Sequence, residues 1–401
     1  MNCAHFGVCG GCQLDKDYST QLRQKYEDFT NLLGFAPSEI FASPSRGFRA
    51  RCELGIHKKP KSHAAFIDPH DVASCLNLSA QPTHFDSMHV ALKNPTQEIF
   101  LSMNSLGKKD HIPIQNCPNL IPKLQKILHQ LPPLLQPEIL SYKLYAINLL
   151  GVGQGILSMI YHRKLEDSWE HAARNLAHSL GVSIIGRSKN QKILIGSDLQ
   201  ESSLNVAGRK LIYLHKEGNF SQPNPFINEK MLNFILACLQ DHPRRDLLEL
   251  YCGSGNFSIA LADSFERVFA TEVVKSAIPV LLENARRNDI TNLTAARLSG
   301  LETMQALSFE RDFFRLRGVD LRDFNFSHIL VDPPRSGIGD IKMLHFLQKF
   351  PYIIYVSCNP HSLKRDFLIL SQSHKVIHSA LFDQFPHTHH VESIMILQKV
   401  L

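Results

Sequence analysis

No apolar run in this 401-residue sequence approaches the roughly 20 residues needed to cross a bilayer, so no membrane-spanning helix is expected. The first residues also lack the basic and apolar blocks of a secretory leader, and the expected compartment is the cytoplasm. No internal repeat or low-complexity tract stands out, and the composition is that of an ordinary globular protein. Cysteine is sparse, at nine residues. Without an export signal, those thiols suggest metal ligands, catalysis or core packing rather than disulfides. No charge sign dominates, since the net charge is only +6. The distribution is uneven, however. Arg46, Arg49, Arg51, Lys58, Lys59 and Lys61 crowd one stretch, with smaller groups at Lys108–Lys109 and at Arg187, Lys189 and Lys192. Such clusters suit a polyphosphate partner, although charge alone fits a solvated basic face equally well.

The length allows two or three domains. Residues 1–14 are short of apolar bulk and rich in Cys and Gly, as in a segment stapled by a ligand. Periodicity predicts a helix over 18–34, strands over 46–57 and 97–103, and a helix over 119–131 stopped by Pro132-Pro133. Two strands around the turn Gly151–Gly155 follow, then a helix from Trp169 to Leu180 and strands at 182–185 and 192–195. From about residue 226 strands and helices alternate, which implies a doubly wound, mostly parallel sheet. The fold class expected is α/β: a Cys-rich segment (1–25), a smaller α+β domain (26–215) and a Rossmann-like domain (216–401).

Four constellations carry chemistry. In Leu248-Glu249-Leu250-Tyr251-Cys252-Gly253-Ser254-Gly255-Asn256, glycines directly after a strand permit a tight turn and close backbone approach to a ligand. Glu272 ends the next strand, where a carboxylate binds ribose hydroxyls. The spacing lacks the three-glycine dinucleotide fingerprint and fits an S-adenosylmethionine turn better. In Val331-Asp332-Pro333-Pro334-Arg335-Ser336-Gly337, Asp332 ends a buried strand and faces the cofactor cleft, or caps a helix expected from 338. Arg335 stands where amine methyltransferases place an aromatic residue, which argues against exocyclic-amine chemistry.

The third constellation is Cys358, in Ser357-Cys358-Asn359-Pro360, with Glu392 in Phe382-Asp383-Gln384-Phe385-Pro386-His387-Thr388-His389-His390-Val391-Glu392. Cys358 closes a buried strand, where open α/β sheets build their sites. Uracil C5 is too weak a nucleophile to attack a methyl sulfonium. A thiolate added to C6 activates it, and a base must then remove the C5 proton. His389 and His390, read as strand neighbours pointing opposite ways, are expected to have structural or substrate-orienting roles. The fourth constellation is Cys3, Cys9 and Cys12, too close together for all three to pair in disulfides. Cys117 or Cys75 could supply a fourth ligand, for an iron–sulfur cluster or zinc.

These motifs resemble the RNA uracil-C5 methyltransferase family, in order, from about residue 40 to the end. The run Gly218-Asn219-Phe220-Ser221-Gln222-Pro223-Asn224 adds to the match. The resemblance implies a Rossmann-like S-adenosylmethionine domain with Cys358 as nucleophile and Glu392 as base. It implies cofactor contacts at Gln222, Tyr251, Asn256, Glu272 and Asp332. The body is most similar to the tRNA (uracil-54) branch, which modifies the T-loop uridine. The N-terminal cysteines resemble the ribosomal-RNA branches, where they hold a [4Fe-4S] cluster. The context of Cys117 then selects it over Cys75, as ligand with Cys3, Cys9 and Cys12, and a cluster over zinc. The expected partner is structured RNA, with tRNA ahead of 23S rRNA, no membrane, and a monomeric enzyme that flips out its target base. A non-catalytic RNA-binding protein would need neither Cys358 nor Glu392.

Overall fold

The structure, a computed structural model, describes residues 3–60, 97–107 and 110–400. Lys61, Cys75, Lys108 and Lys109 lie outside the described residues. The first strand, β1 (Glu39–Phe41), follows a helix at Tyr18–Leu33. A central sheet comprises β2 (Arg51–Pro60), β3 (Gln97–Asn104), β4 (His111–Pro113), β5 (Leu144–Leu150), β6 (Ile156–Tyr161), β7 (Ser183–Ser188) and β8 (Gln191–Ile195). Its order is β4-β3-β2-β5-β6-β7-β8. Every pairing is antiparallel except β6–β7, which needs a crossover and receives the helix Asp167–Leu180. That helix and Pro122–Leu134 bury one apolar face each (Leu124, Ile127, Leu131; Trp169, Ala173, Leu176) in a common core with the sheet. Trp169 Nε1 donates to the Tyr161 hydroxyl at 2.8 Å, so the largest buried side chain leaves no unpaired donor.

A hairpin of β9 (Leu199–Val206) and β10 (Arg209–Lys216) comes next, turned by Ala207 (φ 49) and Gly208 (φ 79). Its apolar side (Val206, Leu211, Tyr213) packs with Ile227, Met231 and Ile235 of the helix Pro225–Cys238. The hairpin therefore belongs physically to the C-terminal body, although it precedes residue 216.

The third sheet holds β11 (Asp246–Leu250), β12 (Arg267–Thr271), β13 (Leu293–Ala296), β14 (Phe326–Val331), β15 (Tyr352–Ser357), β16 (His374–Phe382) and β17 (Glu392–Lys399). The order is β13-β12-β11-β14-β15-β17-β16-β1. The strands β11 to β15 are parallel; β17 runs antiparallel between β15 and β16. β11 and β15 are buried along their whole length, as strands in a sheet covered on both faces must be. The doubly wound, mostly parallel sheet expected from the alternation is present. Its order reverses at β11, flanked by β12 on one side and β14 on the other, and such a switch point opens a crevice at the carboxyl ends of the strands.

β1 extends this sheet at its far edge, parallel to β16. The preceding helix places Phe29 in the same core. So residues 18–41 dock on the C-terminal body, while the intervening order of the chain assigns them to its N-terminal half. A three-residue strand carries no readable period, and its partner lies more than 300 residues away, which is why sequence patterning does not find it.

Candidate active site

β11 delivers the chain into a tight turn. Tyr251 (φ 61), Gly253 (φ 55) and Gly255 (φ 90) all occupy the left-handed region. Glycine adopts it freely; Tyr251 does not, and strain of this kind concentrates at ligand sites. A Cβ on Gly255 would meet Leu281 Cγ at 2.9 Å, so the turn packs directly on the helix Ala277–Arg287. Glu272, just past β12, clamps the turn. Its Oε2 accepts from Gly253 N at 3.0 Å and its Oε1 from Val274 N at 2.8 Å. Asn256 opens the helix Asn256–Leu261 and exchanges amide hydrogen bonds with Asn228 at 2.9 and 2.7 Å. Gln222, Tyr251, Asn256 and Asp332 line one cleft, together with Arg51, Leu150 and Val152 of the central domain and the exposed Phe220. Glu272 borders it through Gly253. The five residues expected to meet the cofactor are thus gathered around the switch point. A carboxylate beside a glycine turn, amides on the helix start and a side opened by the central domain fit an adenosyl group with its ribose hydroxyls.

Asp332 does not cap a helix. The helix begins at Ile341, and Asp340 caps it by accepting from Met343 N at 3.1 Å. The loop between is instead pinned by buried Asp366, which accepts from Ile338 N, Gly339 N and the Tyr355 hydroxyl. That leaves the Asp332 carboxylate facing the cleft. Burial raises it to about 7.

Cys358 and Glu392 are brought together by β-sheet register. Ser357, the last residue of β15, pairs with Ser393 in antiparallel β17, and Ser393 Oγ donates to Ser357 O at 3.2 Å. Cys358 directly follows β15 and Glu392 opens β17, so this register sets the two residues side by side, near enough for the Glu392 charge to act on the thiol. Both feel Asp332. Burial pushes the Cys358 thiol up to about 11, with the carboxylates of Glu392 and Asp332 adding to the shift and Arg335 opposing it. Glu392 is 5 % exposed, and burial first, then Asp332, holds it well above the usual carboxylate range. Arg335 Nη2 donates to His390 Nδ1 at 3.2 Å and so ties the two active-site loops. His389 and His390 lie in the loop before β17 rather than in a strand, so the alternation expected for them does not apply. The loop's irregularity follows from Pro386 and from His387, which has φ 67.

Cys3, Cys9, Cys12 and Cys117 line one pocket, with Cys52 of β2 and an apolar wall that includes Phe6, Ile114 and Leu128. Burial raises Cys12 to about 11, and Cys117, Cys9 and Cys3 raise it further. Gly11 N donates to Cys9 Sγ at 3.4 Å and Asn119 Nδ2 to Cys12 Sγ at 3.2 Å, contacts that favour thiolate sulfur. Among the described residues no three His, Cys, Asp or Glu side chains are set to hold a single metal ion.

Several site residues carry no sequence signal of their own. Gln384 Nε2 donates to Gln222 Oε1 at 2.6 Å, Tyr213 donates its hydroxyl to Asn256 O, and Asn284 joins Leu214 of the hairpin to Ser254 of the turn. Glu249, beneath the turn, is fully buried against Ser258, and burial raises it to about 8. Its place in a strand interior reads as apolar from pattern alone.

A doubly wound sheet with a glycine turn and its acidic clamp at the switch point is the frame of a methyltransferase. Residues 87–400 match the tRNA (uracil-5-)-methyltransferase family, and the chain belongs to it. A tRNA/tmRNA (uracil-C(5))-methyltransferase of Helicobacter hepaticus is 43% identical over 432 residues, covering 100% of this chain and 99% of the relative. One of Wolinella succinogenes is 37% identical over 407 residues, with both chains fully covered. The fold is similar to that of the Pyrococcus abyssi tRNA (uracil-54, C5)-methyltransferase in complex with S-adenosyl-L-homocysteine. The TM-score is 0.66 and the identity 20%, over 98% of this chain and 86% of that one. No helix among the described residues is long and apolar enough to cross a membrane.

Proposed function

We propose that this enzyme methylates C5 of a uridine in tRNA, the T-loop uridine 54, from S-adenosylmethionine. The observation that carries the reading is the β15–β17 register, which brings Cys358 near Glu392 and Asp332. Gln222, Tyr251, Asn256, Glu272 and Asp332 would hold the cofactor, which supplies an electrophilic methyl group when bound. Cys358 first gives up its S–H proton to solvent; the thiolate Sγ then forms a bond to C6 of the uracil, and the C5=C6 π pair moves onto C5 and the neighbouring carbonyl. Once C5 carries its new methyl group, Glu392 takes the C5 proton. The freed electron pair restores C5=C6 and expels the thiolate. The ionised form of Glu392 is the proton acceptor, and burial makes that form more basic than an exposed carboxylate.

The target base must leave its stack to reach Cys358. Arg49, Arg51, Asn104, Asn148, Phe220 and Phe385 line a groove between the central domain and the methyltransferase body, and this groove is our candidate path for the RNA. Relatives aligned over the whole chain are named for tRNA and tmRNA, which favours tRNA over the 23S rRNA suggested by the cysteines. Cys3, Cys9, Cys12 and Cys117 would hold a [4Fe-4S] cluster. What supports the reading is that all four thiols line one pocket. We assign it a structural role, since the pocket lies apart from the methyl-transfer cleft. A monomer working in the cytoplasm completes the reading.

The test is labelling of tRNA and 23S rRNA transcripts by the purified enzyme with methyl-labelled cofactor. Label confined to tRNA is expected, and mapped to the T-loop uridine. Label confined to rRNA overturns the substrate, and undiminished turnover by Cys358→Ala overturns the mechanism.

A further inference from the structure

The loop that joins β16 to β17 leads directly into Glu392, and the N-terminal helix grips it from outside the methyltransferase body. Gln21, Lys25 and Phe29 form the buried face of Tyr18–Leu33. Lys25 is 4 % exposed, and its ammonium donates to Asp383 Oδ1 at 2.6 Å and to Phe385 O at 3.1 Å. Gln21, equally buried, accepts from His387 N at 2.9 Å through Oε1 and donates to His387 Nδ1 at 3.1 Å through Nε2. His387 Nε2 in turn donates to Ser45 O at 2.8 Å, so the ring is held at both nitrogens. Gln13 N and Leu14 N, next to Cys12, both donate to His387 O. The loop's third contact is with the cofactor cleft: Gln384 Nε2 donates to Gln222 Oε1, and Gln384 O accepts from Asn224 Nδ2 at 3.3 Å. The loop closes where Phe382 pairs with Glu392.

A buried ion pair gives little net stability over apolar residues of equal volume, because desolvation of both charges offsets their attraction. The Lys25–Asp383 pair, with side chains 3% and 0% exposed, therefore asks for a reason other than stability. What it does achieve is a fixed position for a loop that has no regular hydrogen-bond ladder of its own.

We propose that Lys25 and Gln21 are positioning residues for methyl transfer, acting through Asp383–His387 on Gln222 and Glu392. The proposal rests on the function given above. It makes the N-terminal helix part of the catalytic apparatus, although none of its side chains lines the cleft.

The decisive variant is Lys25→Met/Asp383→Asn, which removes both charges and leaves no buried ion unpaired. Its melting temperature, its affinity for a T-arm RNA and its single-turnover methylation rate are compared with wild type. A loss of position predicts a rate lower by about 10- to 100-fold, with RNA affinity and melting temperature nearly unchanged. A rate equal to wild type overturns the proposal. Should this variant not fold, Gln21→Ala is measured in the same way; it is expected to slow the rate likewise, and wild-type kinetics again refute the idea. The wild-type arm separates the two levels: if wild type labels no uridine in any RNA, the function itself has failed. Lys25→Arg, which keeps a charged donor toward Asp383, is expected to methylate faster than the double variant; a rate no better than the double variant's counts against positioning.

Discussion

Ser393 donates from its hydroxyl to the carbonyl of Ser357, and this one cross-strand contact fixes where the thiol of Cys358 meets the carboxylate of Glu392. Cys358 directly follows β15 and Glu392 opens β17, two strands of opposite direction. A one-residue slip of β17 against β15 would turn Glu392 to the other face of the sheet. The pair is therefore secured by register, and register by the buried runs Ile394–Leu397 and Ile353–Val356.

Replacing Glu392 by Gln should separate the two halves of the reaction. Adduct formation at C6 survives, whereas release is lost, so protein–RNA conjugates accumulate on a denaturing gel. Because the Glu392 carboxylate helps to hold the Cys358 thiol up near 11, its removal lowers that pKa. Alkylation of Cys358 by iodoacetamide should then run faster in the variant at any mildly alkaline pH. Slower alkylation would contradict the arrangement.

Glu249 gives a pH signature of stability. Burial raises its carboxyl from 4.5 to about 8 in the folded chain, so the fold favours the protonated form. Its contribution is complete below 4.5 and is lost as pH rises through about 8. Glu249→Gln, which cannot ionise, should melt above wild type at about pH 9 and lose that advantage at about pH 5. Parallel melting curves across this range would refute the assignment.

Asn284 joins the hairpin to the cofactor turn: its Oδ1 accepts from Leu214 N at 2.7 Å and its Nδ2 donates to Ser254 O at 3.0 Å. Asn284→Ala leaves a buried N–H without a partner. A loss of about 1–3 kcal/mol in chemical denaturation is expected, with weaker binding of S-adenosylhomocysteine by calorimetry.

The cysteine pocket can be tested one thiol at a time. Cys12→Ala and Cys117→Ala should lose iron and sulfide from anaerobically purified protein, and with them the visible absorption. Cys52→Ala, at the wall of the same pocket, should keep both. Full metal content in Cys117→Ala would remove that residue from the ligand set.

The helices and strands of the C-terminal body were legible because they alternate and carry apolar patterns bounded by turn residues. β15 is one apolar run from Tyr352 to Val356, closed by Ser357. The glycine turn, Asp332 and Cys358 were legible because chemistry at strand ends falls in short contiguous motifs. The hairpin β9–β10 and β1 were not, since neither owns a core of its own. The same holds for Asn228 and Gln384, whose meaning lies in partners distant along the chain.

The sequence by itself singled out the candidate residues of the chemistry, because a thiol, a carboxylate and a glycine turn at strand ends are properties of short segments. Only tertiary structure decided their relation. It set Glu392 opposite Cys358 by antiparallel register and drew the four thiols around one pocket. It also bound Lys25 to Asp383 across nearly the whole chain. The physical reason is that local pattern encodes which face of an element is apolar, whereas long-range contact depends on how those faces find one another.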